Sequence, residues 1–361
     1  MNKNKQKKEI LFYCPYIERG GISATLLKYT KFLSKFYDIS VFTNSFSTNV
    51  LCQFSKKVKI INIKNNFFYQ NRILNNLIVF TKMSKFTNKN CLIFSLQDHF
   101  LILLLNKFIT KKKIIIRTSS IIPNGKNKIE EKYLKNSFLK KHLIKIYRLA
   151  NKVITFSNEN VRYFSSKNIK STCIYNYFKK NKVFVKKIRT NRKNIFFIGR
   201  FSHEKNPIFF LKNLINFKNI NLHLVGDGYQ KKMLLNLANN KKNIFFHGFV
   251  DNPFKKFKKK IDLLCITSLY EGTPNVMGEA MSFGVPVLAP KNIGLTNLFL
   301  KNGKYGFLYQ NDNNLSFKRK ISEILDNYSL AKKKALFGFK SLGRFNEKKT
   351  LKKLLTELQK I

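Results

Sequence analysis

Two glutamates, Glu271 and Glu279, stand eight positions apart in the segment YEGTPNVMGEAMSFGVP, which runs from Tyr270 to Pro286. A carboxylate accepts hydrogen bonds from sugar hydroxyls through two oxygens at once, so a pair of them suits sugar recognition. The residues between them suit a phosphate. Gly272, Thr273 and Pro274 break the apolar run from Ile261 to Ser268, and Pro274 fits the first turn of a helix because its missing N–H needs no partner there. A helix over 275–283 is predicted, with Gly284 as its stop. The N–H groups and dipole at its start favour an anion, and Thr273, Asn275 and Val276 lie at that start. Glu271 then belongs to a loop at the carboxyl end of a strand, where open α/β sheets bind ligands, and Glu279 lies one to two turns into the helix. The pattern is equally compatible with a loop acid and a solvated helix acid that bind nothing.

A second segment, FIGRFSHEKN from Phe197 to Asn206, carries Gly199, Arg200 and Lys205 between a predicted strand and a predicted helix. Gly199 allows a tight turn, and two cations five residues apart can grip a diphosphate from two sides. In a chain this rich in lysine such a pair also arises by chance. Gly226 and Gly228 in LVGDGY permit close backbone approach, or mark nothing more than a tight strand–helix turn. Nearer the start, Gly20 and Gly21 follow a first strand, and Ser23 is placed to cap the helix after them. Two further strand ends carry polar groups: Gln97, Asp98 and His99 after one, Arg117, Thr118 and Ser119 after the other. His99 is a candidate catalytic group, although a loop histidine is more often a hydrogen-bonded bystander, and Arg117 is a candidate for an acceptor phosphate.

These residues hang on an alternation of strands and helices. Strands are predicted over 10–14, 39–43, 59–63, 91–96, 114–117, 152–156 and 171–175, with helices over 22–36, 72–83, 100–109, 139–150 and 158–165 between them. After a polar, charged stretch at 179–193 the pattern restarts, with strands over 194–198, 221–225, 244–247, 261–266 and 285–288 and helices over 207–215, 229–238, 254–259 and 276–283. This is a doubly wound α/β pattern repeated, and two such domains imply a cleft between their carboxyl-end faces. A basic amphipathic helix is predicted over 345–361.

The chain has 361 residues, enough for two cores, and 70 Lys and Arg against 18 Asp and Glu, a formal net charge of +52. Such a field attracts nucleic acid, anionic lipid or phosphorylated substrates. The abundance of Lys, Asn, Ile and Phe and the lack of Trp also match what a biased nucleotide composition produces. The five cysteines, an odd count, have no paired spacing, which argues against a disulfide framework or zinc cluster and fits a reducing compartment. Cys14, Cys91 and Cys265 are expected in the core. No secretory signal is visible, and the most apolar stretch, 91–109, is split by Gln97, Asp98 and His99, so no membrane span is expected.

The words EGTPNVMGEAMSFGVPVLAP resemble the E-x7-E signature of retaining, family-4 type glycosyltransferases (glycosyl transferases group 1) of the GT-B fold, with Glu271 and Glu279 at the required spacing. GRFSHEKN resembles that family's G-R-x-x-x-E-K-G, LVGDGY its x-x-G-x-G turn beside the nucleotide, and FHGFVDNP, 246–253, its base-holding loop. The resemblance implies two Rossmann-like domains facing each other across a cleft. The first, 1–178, would bind acceptor, the linker would be 179–193, and the second, 194–344, would bind the nucleotide-sugar, with helix 345–361 packing back on the first. It implies Arg200, Lys205 and Glu271 as catalytic groups, the cations on the leaving diphosphate and Glu271 on the transferred sugar. Glu279 would hold the ribose, and Gly199, Gly226, Gly228, Thr273, Asn275 and Val276 would complete the donor site. Gly20, Gly21, His99, Arg117 and Ser119 fall on the acceptor side.

The resemblance further implies a UDP-linked donor and a glycan or lipid-linked acceptor of bacterial cell-surface polysaccharide or lipopolysaccharide synthesis. No cofactor and no metal are expected, since no DxD-type motif is present. No nucleic acid is expected as a partner, whereas an anionic membrane surface is, and the location would be cytoplasmic or peripheral on the inner membrane face. Three departures stand out: Asn206 replaces the usual glycine, the word RTSS lacks the histidine often found there, and Asn297 stands where a glutamate is common. Competing readings are a basic nucleic-acid- or membrane-binding scaffold on this fold without transferase activity, and a sugar-nucleotide epimerase.

Overall fold

Near-continuous apolar runs of four to six residues become parallel strands buried on both faces, because only helices covering each face can bury them. The computed structural model describes residues 7–18, 20–63, 72–86, 91–97, 99–118, 144–183 and 192–361. It divides into two units, residues 1–176 with 348–361, and residues 177–347.

In the first unit the strands are β1 Glu9–Tyr13, β2 Tyr16–Ile17, β3 Asp38–Thr43, β4 Ser45–Phe46, β5 Val58–Asn62, β6 Cys91–Ser95, β7 Lys113–Arg117, β8 Lys152–Thr155 and β9 Ser171–Cys173. Seven of them form one sheet in the order β5-β3-β1-β6-β7-β8-β9, and every pairing in it is parallel. β2 and β4 make a separate two-stranded ribbon. Leu11, Ile93, Ile114, Ile116 and Val153 supply the centre of its core. The C-terminal helix Glu347–Gln359 contributes Leu351, Leu354 and Leu358 to burial, and its Glu357 is held at 2.9 Å by Lys152 at the start of β8.

The second unit repeats the plan with β10 Lys193–Ile198, β11 Ile220–Val225, β12 Ile244–Phe246, β13 Leu263–Cys265, β14 Val287–Pro290 and β15 Phe307–Tyr309. Their order is β12-β11-β10-β13-β14-β15, all parallel. The order reverses between β10 and β13, and the carboxyl ends of those two strands frame the crevice in which such sheets bind ligands. The chain enters this unit before β10. Asn181 donates from its backbone to Ser282 O at 2.9 Å, and the Phe178 ring lies against Gly278. Part of the stretch expected as a linker therefore packs on the helix Asn275–Ser282, while residues 184–191 lie outside the described residues.

Cys14, Cys91, Cys173 and Cys265 are buried, and burial, with Glu9 nearby, pushes the Cys91 thiol up to about 12, so it behaves as a small apolar residue. Among the described residues no helix is long and apolar enough to cross a membrane, and no cluster of His, Cys, Asp and Glu could hold a metal ion.

Candidate active site

The loop after β10 and the loop after β13 meet. Thr267, 2% exposed, donates its hydroxyl to the carbonyls of both Lys205 and Asn206, each at 3.0 Å. Leu269 N donates to Glu204 O at 2.9 Å. These three bonds fix the end of the GRFSHEKN loop against the strand that leads to Glu271. The side chain of Lys205 then reaches Glu271, and its ammonium sits on Oε1 of that carboxylate. Glu271 is deep in the structure, its side chain 9% exposed, and Lys205 is 24% exposed. Oε2 of Glu271 and the hydroxyl of Thr273 are buried with no hydrogen-bond partner among the described residues. A buried carboxylate oxygen without a donor is costly, and groups of this kind mark places where a ligand supplies the missing bond. Phe197, Ile198, Cys265, Thr267, Ser268 and Val276 line a small cavity together with Lys205 and Glu271.

Arg200 behaves differently. Its side chain is 71% exposed and pairs with Glu204 at 3.2 Å. Burial opposes ionisation of Glu204, but hydrogen bonds and the charges of Arg200 and Lys205 hold its carboxyl below the usual range. Lys205 is therefore the built-in cation of the site, and Arg200 is a surface cation beside it. Asn206, the departure from glycine, has φ of 51° and caps the helix Pro207–Leu214 by accepting from Phe209 N at 3.3 Å. Asparagine is the residue other than glycine that tolerates this left-handed conformation, so the substitution keeps the turn and adds a cap.

Gly226 and Gly228 let this loop touch the one after β11. A Cβ on Gly226 would collide with the carbonyl oxygen of Gly199, and one on Gly228 with the backbone of Phe201. Gly199 N donates to Val225 O at 3.0 Å and Phe201 N to Asp227 O at 2.8 Å. The helix after Glu271 runs Asn275–Ser282, and Pro274 takes the position before its first turn rather than within it. It ends as expected: Gly284, φ 68°, donates to Met281 O at 3.1 Å and Val285 N to Ala280 O at 3.0 Å, the paired bonds of a Schellman cap. Glu279 lies on its exposed face.

Asn297 is taken up by its own loop. It accepts from Asn292 N at 2.7 Å and donates to Asn292 Oδ1 at 2.9 Å and Asn302 Oδ1 at 3.1 Å. These bonds close the loop whose Leu295 N donates to Gly272 O at 3.1 Å, beside Glu271.

In the first unit, Gly20 precedes the helix Gly21–Leu33, which has no side-chain cap. Ser23 is not that cap: it donates instead to Glu18 O. Gln97 accepts from Tyr16 N at 3.1 Å. Arg117 is 6% exposed, donates to Ile174 O at 3.2 Å and Asn176 Oδ1 at 2.8 Å, and lies 5.2 Å from the centre of the Tyr29 ring. Its charge is spent on joining β7 to the segment after β9. His99 opens the helix His99–Leu105, its side chain outside the described residues, as are Asp98 and Ser119 entirely. Thr267 escaped notice in the sequence because a threonine inside an apolar run reads as strand.

Residues 178–341 match the family described as glycosyl transferases group 1. Among curated proteins the chain is similar to an uncharacterized glycosyltransferase of Methanocaldococcus jannaschii, 28% identical over 45% of this chain and 48% of that protein. It is also similar to a Campylobacter jejuni alpha-1,4-N-acetyl-D-galactosaminyltransferase named for a glycosylated PP-undecaprenol, 27% identical over 38% of this chain and 40% of that one. The chain thus spans about half the length of the curated relatives it matches. Among solved structures, Anabaena HepE in complex with UDP and glucose superposes with a TM-score of 0.78 at 19% identity, covering 98% of this chain and 100% of that one. The TarM structure gives 0.74 at 15%, covering 98% and 99%. The fold is GT-B, and the C-terminal unit of this chain carries the match to the glycosyl transferases group 1 family.

Proposed function

We propose that the chain is a retaining glycosyltransferase that moves a sugar from a UDP-linked donor to a glycan or lipid-linked acceptor in cell-surface polysaccharide synthesis. The observation that carries this reading is the Lys205–Glu271 pair between the carboxyl ends of β10 and β13, with Glu271 Oε2 and Thr273 Oγ1 buried and unpartnered beside it. Support for the nucleotide comes from HepE, whose structures hold UDP, glucose and UDP-glucose. Support for the acceptor class comes from relatives named for PP-undecaprenol glycans and O-antigen biosynthesis.

On this reading the leaving diphosphate draws Lys205 away from Glu271 and Arg200 adds its charge from the surface. Both stabilise the oxygen that becomes negative as the bond from the sugar's anomeric carbon to phosphate breaks. Glu271, released, accepts hydrogen bonds from sugar hydroxyls, while Glu279 takes those of the ribose. The new bond forms on the face that the phosphate leaves, and the acceptor's hydroxyl proton passes to the departing phosphate. Gly199, Gly226, Gly228, Asn275 and Val276 let the donor approach the backbone. The acceptor meets Gly20, Gly21, His99 and Ser119. No cofactor or metal enters the scheme. The chain works from the cytoplasmic side, at an anionic membrane surface that its net charge of +52 favours.

The test is release of UDP from UDP-glucose, UDP-galactose and their N-acetyl forms, with and without lipid-linked glycans. Glu271→Gln keeps the shape and removes the charge. Turnover should fall on the order of 100-fold, as when one preorganised electrostatic contact is lost. Unchanged turnover in a folded variant contradicts the assignment.

A further inference from the structure

In the first unit all seven strands of the main sheet run parallel, so every loop that precedes a strand lies at one edge, opposite the edge where such sheets bind ligands. Sugar transfer asks nothing of this amino-end edge, yet its composition is unusual. Phe36 is 46% exposed before β3, Phe86 50% before β6, and Phe108 and Ile109 are 70% and 50% exposed before β7. Single exposed apolar residues are ordinary, but several at one edge mark an interaction surface.

Each of these apolar residues has an exposed lysine beside it: Lys35 next to Phe36, Lys85 next to Phe86, and Lys107 and Lys111 around Phe108 and Ile109. Exposed Lys8 precedes β1, Lys56 and Lys57 precede β5, and Lys170 precedes β9. Acids are few here among the described residues. Asp38 is exposed, Glu9 accepts from Ser40 at 3.0 Å, and Glu357 is taken by Lys152 and Lys360.

The most exposed pair is held out by a built device. The helix His99–Leu105 widens into a π-helical turn, Asn106–Thr110, and Lys111 follows with φ of 49°. Asn106, 5% exposed, staples the turn: it donates to Lys112 O at 2.9 Å, and its carbonyl accepts from Lys112 N at 3.2 Å and from Thr110. π turns recur at functional sites. This one presents an aromatic and an aliphatic side chain to solvent between lysines, at the end of a helix packed beside Arg72–Ser84, the helix that leads to Phe86.

We propose that this amino-end edge docks on an anionic lipid bilayer. Phe108, Ile109 and Phe86 would enter the headgroup layer, and the flanking ammonium groups would lie on lipid phosphates while their stems follow the rings in. Headgroups fit better than nucleic acid because the rings stand at separate helix ends, without a groove in which bases could stack in succession. The inference rests on the membrane part of the proposed function and names its surface. Because the acceptor residues lie at the opposite edge, it goes with a glycan acceptor that extends away from the bilayer, and its test needs neither donor nor acceptor.

The full chain is floated with phosphatidylcholine vesicles and with vesicles containing about a third phosphatidylglycerol, at physiological salt. Binding is expected to the anionic vesicles alone. Phe108→Ser with Ile109→Ser should cut partitioning at least tenfold, whereas Leu315→Ser, at an 80% exposed site of the second unit, should leave it unchanged. Circular dichroism melting confirms that each variant is folded. Three results would overturn the proposal: no anionic binding, equal binding by the Phe108/Ile109 variant, or the same variant instead abolishing self-association or RNA binding. An enzyme that transfers sugar normally but ignores anionic vesicles would sink this inference and leave the transferase reading standing.

Discussion

A single side chain, Lys205, links the two motifs of the C-terminal unit. Its backbone is pinned by Thr267 and its ammonium by Glu271. Neither contact could be read from residue types, because ion pairing between residues 66 positions apart depends on which strand ends become neighbours. The sequence separated the roles, cation for phosphate and acid for sugar, while the folded chain joins them and so keeps a buried charge paired. Asn206 shows the converse: the departure from glycine was legible, and its left-handed φ explains it. Asn206→Ala should cost about 1–2 kcal/mol, from left-handed strain and the lost cap, and Asn206→Gly only a few tenths. Urea unfolding of the two variants checks this, and equal costs would mean that the turn is held by its neighbours instead.

Among the elements, the strands of the two main sheets, β15 apart, are legible in the sequence to within a few residues, since parallel strands buried on both faces appear as unbroken apolar runs. The two-residue β2 and β4, the three-residue β15 and the helices Thr48–Leu51, Thr296–Leu300, Asn314–Asp326 and Tyr328–Ser341 are not legible there. Strands of two or three residues and helices of four or five carry no period, and the polar Lys-rich faces of the two long helices dilute theirs. The helix predicted over 100–109 stops earlier, because the π turn around Asn106 replaces its last turn.

A chain of polar contacts across β10, β11 and β12 was also invisible: Asn194 to His223 at 3.2 Å, and His223 Nδ1 to His247 Nε2 at 2.9 Å. Burial, then the His247 charge, pushes the His223 imidazole down to about 4, and burial with Lys256 and Lys260 lowers His247. The neutral rings are favoured in the folded state, so their contribution is complete above the unfolded value near 6.5 and is lost as pH falls toward about 4. The melting temperature of the wild type should drop over that window more steeply than that of His223→Phe. Parallel curves would show that the pair does not govern acid stability.

At the scale of the whole molecule, the net charge of +52 was legible as a number but not as a pattern. Its placement follows from topology, which gathers lysines and exposed rings at the amino-end edge of one sheet and leaves the paired cation and acid of the other unit at its carboxyl edge. If the carboxyl-edge site of the second unit holds the donor, nucleotides bind there. Thermal shift of the full chain with UDP, GDP, ADP and their sugars reports binding, since a ligand at about a hundredfold excess over its dissociation constant adds about 2.7 kcal/mol of stability. A shift is expected with UDP and UDP-sugars and is expected to be lost in Glu279→Ala. No shift with any nucleotide in a folded sample, or a shift unchanged by Glu279→Ala, would contradict a donor site there.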